Sequence, residues 1–232
     1  MTKNTERDTE RDTVRDKKDK KDKKTQYHHG DLRAALVQAA GEILTSEGPD
    51  ALSLRGVAAR AGVSHSAPYR HFTDRRALLS AVASEGFREL AHRQRSHSND
   101  VTTNLTEVGR SYLQFALEHS AMYRLMFMSD ILEANPDPDI ARMSREAFET
   151  LRQSINALLP DCRHTGALCI MMWSQLHGLA QMLLETRLRD WMRDGVDDDG
   201  MIEAACTTLP ETIKHAAGVL AAKATAQQGL SD

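Results

Sequence analysis

AGVSHSAPYRHF, residues 61–72, is the stretch on which the reading of this chain turns. Its twelve positions hold one glycine, one proline, two serines, two histidines, an arginine and two aromatic residues. Just upstream, Leu54, Val57, Ala58 and Ala61 recur at the spacing of one helical face, with Ser53 placed to cap that helix. Gly62 permits the tight turn that ends it, where a side chain would clash. Val63 then points back at the helix just completed, and Ser64 is placed to cap a further short helix. Pro68 falls near its first turn, where a missing N–H costs least. Two short helices joined at a glycine make a helix-turn-helix.

The side chains left facing outward are His65, Ser66, Tyr69 and Arg70, with His71 at the edge. Donors and small residues of this kind are what a helix presents when its N-terminal end enters the major groove of DNA. Arg70 suits bidentate bonding to guanine. Ser66 and Ala67 allow close approach, Ala67 against a thymine methyl group, and the Tyr69 hydroxyl suits a phosphate. Ser64 and the candidate phosphate contacts Arg55 and Arg75 complete the expected DNA surface, together with the N-termini of the flanking helices.

Those flanking helices are legible. Asp31 is a good N-cap for a helix carrying Leu32, Leu36, Ala39, Ala40, Ile43 and Leu44 on one face, ended by Gly48 and Pro49. Asp74 caps a longer one with Leu78, Leu79, Val82 and Phe87. The segment LSLRGVAARAGVSHSAPYRHFTDRRALLSAV resembles the DNA-binding segment of the TetR family of transcriptional regulators. Ala61, Gly62, Val63, Ser64, Tyr69, His71, Phe72, Leu78 and Leu79 match that pattern in order and spacing, and YHHGDLRAALVQAA resembles the lead-in of one subgroup. Arg75 stands where the family usually has lysine, Pro68 where it has leucine or isoleucine, and Ser66 where glycine is frequent. These departures bear on base preference rather than fold. The resemblance covers roughly residues 27–90.

Beyond residue 100 the apolar pattern predicts longer helices over 105–118, 120–128, 138–159, 166–193 and 201–222, with Pro210 expected to kink or split the last. ALCIMMWSQLHGLAQMLL is apolar on most faces, which suits a helix covered on two sides, one by its own domain and one by a twin subunit. Its stretch 165–184 approaches the length of a membrane span, but Ser174, Gln175, His177 and Gln181 and the lack of a basic flank favour a buried helix. Trp173 followed by His177-Gly178 resembles a Trp…His-Gly signature of one class of TetR-like regulatory domains. That resemblance implies an all-helical domain that binds small molecules inside and dimerises through its last two long helices. Met122, Met126, Phe127, Met128, Met171, Met172, Trp173 and Met182 are a soft apolar set fit to line such a cavity, with His177 as a polar handle. Plain core filling is the alternative reading of the same methionines, and a hydrogen-bonded core histidine the alternative for His177.

Composition agrees. Apolar residues make up 41% of the 232, and 6 Pro and 13 Gly are few for a β-rich fold. Residues 1–98 carry 19 basic and 14 acidic groups, net +5, and the remainder 11 and 19, net −8, so an electropositive front suits a polyanion. The polar stretch 1–26, with KKDKKDKK, reads as a disordered charged arm, of a composition that can also touch DNA. Cys162, Cys169 and Cys206 form no CxxC pair and read as reduced core thiols, not a zinc site. No signal peptide is expected from the charged N-terminus. There is no GxSxG, HExxH, GxGxxG or phosphate loop, so an enzyme is not expected.

The expectation is therefore an all-α protein: arm 1–26, a three-helix helix-turn-helix DNA-binding domain over 27–90, a larger helical ligand-binding and dimerisation domain over 91–225, and a tail over 226–232. Its expected role is a cytoplasmic homodimer that binds a palindromic double-stranded DNA operator. Its effector would be an apolar or cationic small molecule, and no cofactor, metal or membrane is involved. Repression is the expected output. Activation by the same fold, or a helical adaptor without DNA binding, are the alternatives.

Overall fold

The computed structural model describes residues 32–95, 100–127 and 138–228. The charged arm, the proposed Asp31 cap, Met128 and residues 229–232 lie outside the described residues. Within them the fold is helical throughout, with no strand.

Helix α1, Leu32–Glu47, buries Leu36, Ala39, Ala40, Ile43 and Leu44, the stripe its sequence spacing predicts. Gly48, at φ 84°, ends it and leads into a 3-10 turn over Pro49–Ala51. Helix α2, Leu54–Arg60, begins where Ser53 Oγ accepts from the Gly56 N–H at 3.1 Å. Helix α3, Arg75–Gln94, begins where Asp74 Oδ1 accepts from the Ala77 N–H at 2.8 Å. Leu54 and Val57 of α2 join Leu78, Leu79 and Val82 of α3 and Phe72 in one core with α1. Burying side chains of this size stabilises by about 1.5–3 kcal/mol each, which holds three short elements together.

The second half follows as α4 (Val101–Glu118), α5 (Ser120–Phe127), α6 (Pro138–Leu158), α7 (Thr165–Leu184), α8 (Asp190–Arg193) and α9 (Asp198–Gln228). Helix α3 is the spine of the molecule. It packs on α1 of the front unit and on α4, α5 and α6 of the rear. At Gly86 of α3 a Cβ would lie 2.5 Å from Met126 Sδ and 2.8 Å from Met122 Cγ, so the bare backbone there lets α5 sit directly on α3.

Two helix ends differ from expectation. The segment expected as one helix over 166–193 stops at Leu184. Thr186 turns to φ 50°, and its N–H donates to Leu183 O while the Arg187 N–H donates to Met182 O. The charged run that follows has no apolar stripe to continue the helix, and only the short α8 re-forms. Pro210 does not split the last helix, which runs on to Gln228, past its expected end near 222. Pro210 removes one backbone hydrogen bond, but Leu209 and Ile213 beside it are buried, at 3% and 0% exposure, and their packing keeps the helix whole.

Candidate nucleic-acid interface and ligand cavity

After α2, Gly62 takes φ 69°, a left-handed conformation that only glycine adopts without strain. The Val63 N–H then donates to Ala58 O at 3.0 Å, folding the chain back on α2. The segment expected as a third α-helix is a tighter object. The Ala67 N–H donates to Ser64 O at 2.9 Å, the Arg70 N–H to Ala67 O at 3.2 Å and the His71 N–H to Pro68 O at 2.9 Å, all i to i−3, before the Phe72 N–H closes on Pro68 O at 2.9 Å, and Pro68–Arg70 is a 3-10 turn. The cause is Pro68, which has no N–H to give to Ser64 O and so cannot continue an i to i−4 ladder. Ser64 is also not a cap: its hydroxyl lies 3.3 Å from that of Ser66.

The outward set is nevertheless placed together. Ser64, His65, Ser66, Tyr69, Arg70 and His71 are exposed, Ala67 is half-buried, and Pro68 and Phe72 are buried beneath them. Arg55, on the exposed side of α2, and Arg70 make no ion pair with the described residues. Arg75 is different. Its Nε donates to Leu52 O at 2.9 Å, a terminal nitrogen donates to Pro49 O, and the guanidinium stands 3.9 Å from Asp50 Oδ1. Arg75 thus ties the first turn of α3 to the loop between α1 and α2. That is a structural task for a residue expected to meet phosphate.

In the rear half a cavity of about 470 Å³ opens between α3, α4, α5, α6 and α7. Helix α3 lends Phe87, Leu90 and Gln94, α4 lends Tyr112 and α5 lends Phe127. Helix α6 lends Ala141, Ser144, Arg145, Ala147, Phe148 and Leu151, and α7 lends Trp173 and Leu176. The size lies within the range of about 300–1,000 Å³ usual for small-molecule sites. Of the described residues expected to line a cavity, Phe127 and Trp173 line this one. Met122 and Met126 fill the contact beneath Gly86, Met172 is fully buried core, Met171 packs against that core, and Met182 is 46% exposed on the surface. Met122, Met126, Met171 and Met172 therefore pack as filler in this structure. Among the described residues no carboxylate lines the cavity, while Arg145 does.

His177 sits beneath the cavity rather than in it. Tyr123 Oη and Tyr112 Oη lie 2.7 and 3.0 Å from its Nδ1, the two tyrosine oxygens are 3.1 Å apart, and Trp173 Nε1–H donates to Tyr112 Oη at 3.2 Å. The Gln181 amide nitrogen is placed 2.9 Å from its Nε2. Turning the Gln181 amide so that its oxygen faces Nε2 gives every member a partner: Trp173 donates to Tyr112, Tyr112 to Tyr123, Tyr123 to Nδ1, and the ring's Nε2–H to that oxygen. Burial holds the His177 pKa below its ordinary value and pushes the Tyr112 hydroxyl up to about 12, so the chain of bonds is neutral. Burial likewise raises the Cys169 and Cys206 thiols to about 11, which suits inert core residues.

Residues 36–82 match the sequence model of the bacterial regulatory proteins of the tetR family, and residues 105–209 match that of the tetracyclin repressor-like C-terminal domain. The chain belongs to the TetR family. That family is one of bacterial regulatory proteins. Among curated TetR-like relatives, an HTH-type transcriptional repressor of Mycobacterium tuberculosis is 40% identical over 52 residues, 22% of this chain and 28% of that one. The HTH-type transcriptional activator FasR of Mycolicibacterium smegmatis is 28% identical over 130 residues, 55% of this chain and 58% of that one. The matches therefore span less than two thirds of either relative. A solved structure of a protein of unknown function from Rhodococcus sp. RHA1 superposes with a TM-score of 0.68 at 27% identity, over 81% of this chain and 98% of that one.

The TetR-type rear domain hides most of its cavity from sequence reasoning. Gln94 and Leu90 lie past the DNA-binding motif on a helix assigned to the front domain, and Arg145 and Phe148 lie on a helix whose amphipathic pattern signals packing only. A pH effect follows from the network. Because the folded His177 pKa is lowered, the unfolded chain takes up the proton first, and stability rises with pH wherever the unfolded state binds more protons. The stability that neutral His177 contributes is therefore complete above the unfolded value, about pH 6.5, and is lost as pH falls through the lower folded value. Glu89, Glu118 and Glu203 are held below the usual carboxylate range by Arg93 and Arg110, so their loss begins only below about pH 4.5. The melting temperature should fall between about pH 7 and pH 5, and fall less in His177→Gln. Equal falls in both proteins would remove His177 as the cause.

Proposed function

We propose that this regulator is a cytoplasmic homodimer that represses by occupying a palindromic operator, and that a small molecule in the cavity of α3 to α7 releases it. One observation carries the reading: α3 serves both ends. Phe87, Leu90 and Gln94 wall the cavity, while Arg75 of the same helix is bonded to the carbonyls of Pro49 and Leu52 in the DNA-binding unit. A molecule that shifts α3 shifts the reading surface. A coupling of about 1–3 kcal/mol changes operator affinity some 5- to 150-fold.

Pairing is supported by α7 and α9. Helix α7 has a mean hydropathy of 1.3, yet only a third of it is buried within one subunit, and Ile170 and Met182 face outward with Val219 of α9. A second copy of the same helices would cover them. Two-fold symmetry would then set the two segments around Arg70 about one DNA turn, ~34–36 Å, apart.

The DNA surface assigned to this reading is Arg55, Ser64, His65, Ser66, Ala67, Tyr69, Arg70 and His71, with Arg75 in support. The experiment is selection of bound sequences from random duplexes, followed by sedimentation and salt titration of the complex. A two-fold-repeated site bound by two subunits, with affinity that drops steeply as salt rises, is expected. A protein that stays a single subunit, or ignores every duplex at low salt, would overturn it. The second reading, activation from the same operator, is distinguished by transcription in vitro with and without the protein.

A further inference from the structure

We propose that the cavity is built for an amphiphilic carboxylate that also carries an O–H or N–H donor on its apolar body. This rests on the reading that the cavity takes the effector, and it names the chemistry of that effector.

Most of the polar atoms that line the cavity are already committed. Trp173 gives its indole N–H to Tyr112, and the Tyr112 hydroxyl is held within the bonds to Tyr123 and His177. Ser144 Oγ donates to Ala141 O at 3.3 Å. These residues therefore offer a ligand apolar surface rather than free donors, and Phe87 and Phe127 extend that surface with their rings 5.2 Å apart, edge to face.

Two groups are left over. Gln94 is 5% exposed, lines the cavity, and its side-chain oxygen is buried without a hydrogen-bond partner among the described residues. A buried acceptor left unmatched is costly, and a donor brought by a ligand would satisfy it. Arg145 is the second. Its neighbours on α6 are neutralised: Arg142 faces Asp139 at 3.4 Å, Glu146 binds Arg95 at 2.7 Å, and Glu149 binds Arg152 at 2.8 Å. Arg145 alone of these has no such partner among the described residues, and it is exposed, so it marks the solvent side of the cavity. A guanidinium at the mouth of an apolar cavity matches a carboxylate, which it can bind with two parallel N–H donors. The ligand's acid would stay at the solvent side on Arg145, its body would lie among the rings, and its donor would reach Gln94 at the end of α3.

The test is calorimetric titration of the full-length protein with two series of probes. One is phloretic acid, its methyl ester, its deoxy analogue hydrocinnamic acid, and the amine tyramine. The other is ricinoleic acid, its methyl ester and oleic acid. In at least one series the acid should bind about ten- to a hundredfold tighter than its ester, and the hydroxylated acid tighter than the deoxy acid. Arg145→Gln, a change at an exposed position, should collapse the first ratio and leave ester binding unchanged. Gln94→Leu should collapse the second ratio and leave the first.

An ester that matches its acid in both series, tyramine binding more tightly than phloretic acid, ratios unmoved by the two variants, or no binding of any probe at millimolar concentration would each overturn the inference. Operator affinity measured alongside separates the two claims. An acid that binds with these preferences but leaves operator affinity unchanged supports the site and sinks the effector reading. Release by tyramine or an ester alone keeps the effector reading and overturns the carboxylate.

Discussion

Replacing Tyr123 by alanine should lower the melting temperature by roughly 6–20 °C, one of the two largest effects expected of a single change. Tyr123 is fully buried, and its ring lies 5.0 Å from that of Phe127, 5.9 Å from Tyr112 and 5.7 Å from His177. Truncating a buried aromatic residue costs about 3–5 kcal/mol, and for a chain of this length each kcal/mol moves the midpoint by about 2–4 °C. Its hydroxyl also gives the shortest bond to His177, at 2.7 Å, so the change removes a hydrogen bond as well as volume. Tyr123→Phe separates the two contributions. It keeps the ring and loses only the bond, at about 1–3 kcal/mol. Tyr112, 3.0 Å from the same nitrogen, can take over part of the lost donation, which puts the expected value near the lower end. Thermal unfolding of both variants is the measurement. A drop of equal size in the two would show that the hydrogen-bond network, rather than packing, holds this region. A shift of only a degree or so for Tyr123→Ala would mean that the rings around Tyr123 do not depend on it for their packing.

The front of the molecule was legible because its signals are local. Ser53 and Asp74 cap helices within three residues of themselves, Gly62 is required by its own backbone angle, and Leu36, Ala40, Ile43 and Leu44 declare a buried stripe by spacing alone. What sequence reasoning misjudged there also has a local cause: Pro68 reads as tolerable in a first turn, yet with i to i−3 bonds on both sides the segment tightens into a 3-10 turn.

The rear was legible as helices and not as a cavity. Whether a methionine lines space or fills it depends on what the facing helix lacks. Met122 and Met126 are filler because Gly86 of α3, some forty residues earlier, has no side chain in their way. Trp173 is identified from its signature and Phe127 from its apolar setting, but Gln94 and Arg145 are ordinary surface residues until three-dimensional packing buries one and leaves the other without a counter-ion among the described residues. His177 was weighed both as a ligand handle and as a bonded core residue. Its bonds to Tyr123 and Gln181 favour the second.

The second large effect concerns DNA. Arg70→Ala should weaken binding to the selected operator by about 5- to 150-fold for each half-site, since a good base contact discriminates by about 1–3 kcal/mol. Binding to random DNA should change far less, and base preference at the contacted position should relax. Arg55→Ala should instead weaken operator and random DNA alike, and should reduce the salt dependence by about one ion for each phosphate that is no longer neutralised. The two residues make clean probes because both are exposed and neither makes an ion pair with the described residues, so melting temperature should not move in either variant. Arg75 cannot serve in their place. Its bonds to Leu52 and Pro49 mean that removing it loosens the loop between α1 and α2, and a loss of DNA binding would then mix a phosphate contact with a change in the position of α2. Anisotropy titrations of the parent protein and the two variants on operator and random duplex, at two salt concentrations, decide the matter. Equal losses on both duplexes for Arg70→Ala would mean that Arg70 grips the backbone, and base reading would then fall to His65, Ser66 and Ala67, the earlier part of the same exposed turn.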